Sequence, residues 1–211
     1  MKKQNFKLTF DIECNGLMPD KIWCIVAKEY KGDTFVFRYD EDNIEEGIKL
    51  LQQADILIGH NIIGFDIPIL KRLYNVDLLK DKEIIDTLVM SRLFNPTREG
   101  GHGLESWGYR LKIYKAEKPL QWDEFDPQMI PYCTQDVIVN EAVYDRLLND
   151  GKSFSKDSVE IEHEVTKILQ QQEENGFYFN DKKAMELLVS LKKRMKEVED
   201  EVHKVFKPRW V

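Results

Sequence analysis

Apolar side chains near the start of the chain recur with a period of two. Phe6, Leu8, Phe10 and Ile12 alternate with Lys7, Thr9, Asp11 and Glu13, which predicts a strand of a pleated sheet running into the Asn15-Gly16 turn. Ile22 to Tyr30 and Thr34 to Arg38 are two further β-rich runs. They are joined as a hairpin across Lys31-Gly32-Asp33, so the three runs make an antiparallel meander. The period then changes. Asp42 to Ala54 sets Ile44, Ile48, Leu50 and Leu51 on one side of a helix, and Ile56-Leu57-Ile58 follows as a short buried strand, parallel to the first across that helix. Helices are predicted over Asp66 to Tyr74, with Pro68 tolerated in the first turn, and from Asp86 or Thr87 to Phe94 after a short strand at Glu83 to Asp86. Two more cover Leu104 to Leu111 and Pro127 to about Leu148.

Residues 1–152 thus read as an α/β domain: a mixed central sheet with three antiparallel leading strands and flanking helices. Residues 153–211 read as a C-terminal helical extension. Within it Val159 to Glu174 is helical and stops at Asn175-Gly176, and Phe177-Tyr178-Phe179 resembles a short strand. Asp181 is expected to cap a helix of about 25 residues, far above the mean length. Its Ala184, Leu187, Leu191, Met195, Val198, Val202 and Val205 step by threes and fours. That narrow stripe wants a partner: either Val159 to Leu169, the simpler answer, or a coiled coil.

Composition narrows the class. Of 211 residues, 42% are hydrophobic and 11% aromatic, which is a packed globule rather than a disordered chain. Cys14, Cys24 and Cys133 form no CxxC and leave an odd thiol, against a disulfide framework or zinc ribbon and in keeping with a reducing cytoplasm. Met1-Lys2-Lys3 is followed by Gln4 and Asn5 with no apolar stretch, so no signal peptide is expected, and no run is long enough to span a bilayer. No membrane partner is expected either. A net charge of −7 argues against neutralising a long duplex. A nucleic-acid substrate would be met locally, through a metal ion, or with a partner's help.

Asp11 and Glu13 leave the same face of the first strand, their Cβ atoms roughly 6.5–7 Å apart. Neighbouring carboxylates near a core repel each other and lose hydration, which a divalent cation relieves; the plainer alternative is a strand running into an acidic turn. Asp66 stands where a buried strand gives way to a helix, the place where sites in α/β sheets open, although an N-cap explains it as simply. Asp136 lies well inside the Pro127 helix, where capping cannot account for it. Tyr132 is one turn earlier on the same face, a spacing that also suits an ordinary surface hydrogen bond. Asp86, a fifth acid, reads as a helix cap.

In the order Asp11-x-Glu13, Asn61-x-x-x-Phe65-Asp66, Tyr132-x-x-x-Asp136, these pieces resemble the three motifs of the DEDDy 3′→5′ exonucleases, each on the element that family uses. Tyr132 four before Asp136, with Pro131 rather than His five before it, indicates the Tyr variant. Further stretches, Asp11 to Leu17, Gly59 to Asn61, Asp86 to Leu93, His102 to Leu111, Ile161 to His163 and Glu174 to Phe177, are similar to the amino-terminal part of podovirus-type (T-seven-like) family A DNA polymerases. The resemblance covers nearly the whole chain. It implies a ribonuclease H-like proofreading exonuclease followed by the start of a polymerase portion. With no room for palm or fingers before Val211, a truncated or split polymerase is expected. If phage-encoded, it would work in the host cytoplasm.

What the resemblance implies for chemistry is specific. Asp11, Glu13, Asp66 and Asp136 would hold two Mg²⁺ ions, with Mn²⁺ an acceptable substitute and Asp11 bridging, for in-line attack of water on the terminal phosphodiester. Tyr132, as a phenol with an ordinary pKa of about 10, would orient the water rather than take its proton. Asn61 would bond near the terminal nucleotide, beside Phe65, and Leu17 would wedge against its base, unless Leu17 is ordinary turn packing. His102 would touch phosphate or serve structurally, and Cys14 flanks the ligands. The substrate would be a single-stranded or frayed DNA 3′ end, and a separate polymerase subunit a partner. Two rivals share these features in part: a ribonuclease D-like RNA-trimming enzyme with the same site, and a non-catalytic polymerase assembly module.

Overall fold

The computed structural model describes residues 5–80 and 82–207. Its sheet consists of β1 (Lys7–Cys14), β2 (Ile22–Glu29), β3 (Thr34–Arg38), β4 (Ile56–Gly59) and β5 (Glu83–Asp86), in the order β3-β2-β1-β4-β5. β1 pairs antiparallel with β2, and β2 with β3. β4 joins β1, and β5 joins β4, in parallel. The sheet is therefore mixed, with β1 at its centre and the expected meander along one side.

Alternation along β1 decides what lies on each face. Leu8, Phe10, Ile12 and Cys14 enter a core with Ile44, Ile48 and Leu51 of α1 (Ile44–Gln53) and Ile67 and Leu70 of α2 (Asp66–Tyr74). Thr9, Asp11 and Glu13 point to the other face, which α5 (Met129–Asp150) covers. There Trp23 and Val26 meet Met129, Cys133 and Val137, while Ile56 and Ile58 meet Val139, Val143 and Leu147. α3 (Thr87–Phe94) and α4 (Leu104–Leu111) add Met90 and Trp107 to this second core. Burying the larger of these side chains stabilises the fold by about 1.5–3 kcal/mol each.

Several boundaries depart from the expected ones for local reasons. The long helix α5 begins at Met129, because Pro127 contributes its carbonyl to a preceding turn, accepting from the Ile130 amide at 3.2 Å. α6 (Lys156–Asn175) starts ahead of Val159, with the Ser155 hydroxyl accepting the Ser158 N–H at 3.0 Å. Phe177-Tyr178-Phe179 forms no strand. These residues are 88%, 86% and 66% exposed and pair with no strand among the described residues. α7 (Asp181–Val205) is capped by Asn180, whose side-chain oxygen accepts the Lys183 N–H at 2.9 Å, rather than by Asp181.

Packing divides the chain into two compact units, Met1–Gln172 and Glu173–Val211. Most of α6 belongs to the first. Its buried His163 accepts the Asp86 N–H at 2.8 Å and so ties α6 to the end of β5. In the second unit the apolar stripe of α7 is exposed, from Leu187 and Leu191 through Met195 to Val205. Among the described residues no helix is long and apolar enough to cross a membrane.

Candidate active site

β1 outruns its parallel neighbour. It pairs with β4 only over Lys7 to Thr9, so the stretch from Asp11 to Glu13 has an open flank on that side. The first turn of α2 enters this gap. Asp66, the first residue of α2, accepts the Ile12 N–H through Oδ1 at 3.2 Å, while Phe65 holds the N-cap position. Asp66 thus bridges the start of its own helix and β1, its carboxylate held by its own backbone amide and by that of Ile12. In the turn that leads there, Ile62 packs directly over Gly59, where a Cβ would lie 2.0 Å from Ile62 Cγ2.

From the opposite face α5 brings Tyr132 and Cys133 and, one turn on, Asp136, all buried on the side that meets the sheet. The Cys133 thiol donates to the Asp11 carbonyl at 3.4 Å, and its sulfur lies with ligand atoms of Asp11 and Glu13 inside a span of 4.8 Å. Asp11, Glu13, Asp66, Tyr132 and Asp136 converge at the carboxyl end of β1.

The electrostatics of this cluster are strained. Burial, and then repulsion from Asp66, Glu13 and Asp136, drives Asp11 well above the carboxylate range. Burial and Asp136 push Glu13 to about 8. Asp66 rises to about 7, burial outweighing the backbone amides that favour its charge. Asp136 is also raised by burial, against the pull of Lys115. The cluster takes up protons unless other cations neutralise it. Asp136 Oδ1 is buried with no hydrogen-bond partner among the described residues. An unpartnered carboxylate oxygen beside three other hard oxygen donors fits a divalent cation such as Mg²⁺. Cys133, held protonated by burial, is a soft and unsuitable ligand for it.

The remaining residues singled out in the sequence are dispersed around this centre. Asn61 is exposed with φ at 66°, its N–H donating to Asp86 Oδ1 at 2.9 Å. Phe65 is half-buried against the first core. Leu17 is 86% exposed in the β1–β2 connection. Cys14 lies in the first core, on the face away from Asp11 and Glu13, its thiol donating to the Gly16 carbonyl at 3.4 Å and raised to about 12 by burial. Both ring nitrogens of His102 are engaged, at 2.8 Å with Ser91 Oγ and 3.4 Å with the Pro96 carbonyl.

Two residues have more to do than their sequence context implied. Asp86 does cap α3 through the Leu88 N–H at 2.9 Å, and it also accepts the Asn61 and Ile63 amides, which fixes the turn leading to Asp66. Lys115 places its ammonium 2.6 Å from Asp136 Oδ2 and 4.6 Å from the centre of the Tyr132 ring. It stands in a polar, aperiodic run, where no pattern marks it.

A family model, RNase_H_2 of the RNase_H superfamily, matches residues 8–148. The chain belongs to the RNase H superfamily. This RNase H domain is also similar to two phage enzymes, each named DNA-directed DNA polymerase. It is 29% identical to that of Enterobacteria phage T3 over 90% of the chain, and 28% identical to that of Escherichia phage T7 over 89%. The chain spans about a third of those relatives, 36% and 35% of their lengths. Among solved structures, Brucella melitensis NrnC matches with a TM-score of 0.61 and 17% identity, over 80% of this chain and 83% of NrnC. NrnC is also known bound to pGG and with bound Mg²⁺. That likeness carries the fold. The superfamily and the phage polymerases together support a nuclease, in a class that uses divalent metals.

Proposed function

We propose that this RNase H domain is a 3′→5′ exonuclease that releases nucleoside 5′-monophosphates from single-stranded or frayed DNA 3′ ends. In this reading it is the proofreading part of a phage-type polymerase. The observation that carries it is the meeting of Asp11, Glu13, Asp66 and Asp136 with Tyr132 at one strand end, where Asp136 Oδ1 has no partner among the described residues. The four acids are the residues that would hold two Mg²⁺ ions. When bound, the ions supply positive charge for an attacking water and for the departing 3′ oxygen.

The rest falls to the chain itself. Tyr132 is raised above the ordinary phenol range, mainly by burial, so it keeps its proton and orients the water. Its ring is held edge-on to Trp122 at 5.8 Å. Asn61, exposed at the turn before Asp66, hydrogen-bonds the terminal nucleotide, and Leu17 packs on its base. His102 and Cys14, already engaged inside the domain, have structural parts. The similarity to T3 and T7 polymerases favours DNA and makes a polymerase, on the same chain or another, the partner. The second reading keeps the site and exchanges the DNA strand for RNA to be trimmed, and the pGG bound to NrnC favours a short substrate in either case.

Digestion of a 5′-labelled single strand decides the main points. With Mg²⁺ the strand should shorten from its 3′ end, and EDTA or Asp11→Ala should stop it. Undiminished digestion in EDTA or by Asp11→Ala would overturn the two-metal site, and faster turnover of a matched RNA would transfer the assignment to the second reading.

A further inference from the structure

We propose that a groove beside Asp136, lined by Tyr109, Tyr114, Lys115, Ala116 and Lys118 with Glu105, holds the substrate strand upstream of the bond being cut. Unstacked bases lie on the tyrosines and phosphates on the lysines. The proposal rests on the nuclease reading and adds where the single strand runs.

The groove encloses about 350 Å³, within the size range of ordinary ligand sites. Tyr109 and Tyr114 are 65% and 60% exposed, yet their rings touch, with centroids 5.6 Å apart and planes at 67°. Large aromatic rings left open to water beside cationic side chains are the means by which proteins hold single strands without reading sequence. Lys115 links the groove to the acids. It lines the groove, and its Nζ sits 2.6 Å from Asp136 Oδ2. Lys118 is exposed and close enough for its charge to act on Asp136. On a chain of net charge −7, these two ammonium groups give a phosphate a local reason to approach an acidic centre.

The platform is held in place. Lys112 turns through the left-handed region at φ 59°, and the Ile113 N–H donates to the Gly108 carbonyl at 2.9 Å. Gly108 is required for that approach, because a Cβ would stand 2.7 Å from the Ile113 carbonyl oxygen. The Gln135 side chain donates to the Tyr114 carbonyl at 2.7 Å, anchoring the platform to α5 one residue before Asp136. Glu105 is the acid among the lining residues, and it opposes phosphate at the α4 side.

The test measures binding apart from turnover, by fluorescence anisotropy of a 5′-labelled DNA strand of about ten nucleotides on the Asp11→Ala protein. Adding Tyr109→Ala and Tyr114→Ala should weaken binding about ten-fold or more. The two Tyr→Phe changes, which keep the ring faces, should restore it. Lys118→Gln should lower the slope of log affinity against log salt by about 0.7, and Glu105→Gln should tighten binding. In the otherwise unaltered nuclease, the Ala pair should reduce the preference for the longer strand over a dinucleotide, and the Phe pair should not. If the unaltered domain trims 3′ ends while the Ala pair binds and discriminates as before, the groove is wrong and the nuclease reading stands. If the unaltered domain trims nothing, both fall together.

Discussion

The two oxygens of Asp136 stand in unlike surroundings. Oδ2 meets Lys115 at 2.6 Å, whereas Oδ1 is buried and has no hydrogen-bond partner among the described residues. Asp136→Asn keeps the shape and removes the charge, so it should cut hydrolysis of a labelled strand by roughly a hundred-fold or more while the far-ultraviolet circular dichroism stays unchanged. Tyr132→Phe should cost distinctly less, because it removes an orienting hydroxyl and no ligand; equal losses would give Tyr132 a larger part. Asp86 behaves as a structural acid. It is 1% exposed and accepts three backbone amides. Asp86→Ala strands those donors and should lower stability by roughly 2–4 kcal/mol in urea unfolding, with or without Mg²⁺. The capping part of that role was legible, since Asp86 precedes a helical run. Its bonds to the Asn61 and Ile63 amides were not, because they span more than twenty residues and depend on the β4–β5 pairing. Lys115 was illegible for the same reason: only the fold puts it on Asp136.

At the scale of elements, what could be read was what has a period. The alternation of β1 placed Asp11 and Glu13 on one face, and the i,i+4 spacing placed Tyr132 with Asp136. Phe177 to Phe179 shows the limit of that reading, since strand propensity expresses packing on a half-buried pleated surface and these side chains are exposed and unpaired with any strand among the described residues. The run from Lys112 to Asp126 shows the converse, an aperiodic segment held by close backbone contact. Gly108→Ala tests that contact. The obstructing atom is a backbone oxygen at 2.7 Å, which cannot swing aside as the tip of a side chain would. The variant should lose about 1–3 kcal/mol of stability by thermal or urea unfolding. It should also displace the segment that carries Lys115. A variant of undiminished stability would mean that α4 yields easily and that the platform is not fixed by it.

Over the whole molecule the acid cluster should set how stability depends on pH in the absence of metal. In the unfolded chain the cluster acids titrate near 3.8 and 4.5, whereas folding raises Asp66 to about 7 and Glu13 to about 8. Between those limits the folded state keeps protons that the unfolded state has released, so stability falls as pH rises. For these two acids the contribution is complete below the ordinary carboxylate values and is lost as pH rises through about 7 for Asp66 and about 8 for Glu13, and Asp11, raised in the same direction, acts with the same sign. His60 acts in the opposite sense. Burial lowers it from 6.5 to about 4, so its contribution grows with pH across that interval and is flat above it. The carboxylates are therefore read most cleanly between about pH 6.5 and 8.5, where melting temperature in EDTA should decline. Mg²⁺ favours the deprotonated acids, so the gap between melting curves with Mg²⁺ and with EDTA should widen over the same range. Glu13→Gln should flatten the EDTA curve by removing the acid that titrates last of the two. A curve in EDTA that is level or rising through this window would mean that the acids ionise without strain, and the case for a cation among them would lose its electrostatic basis.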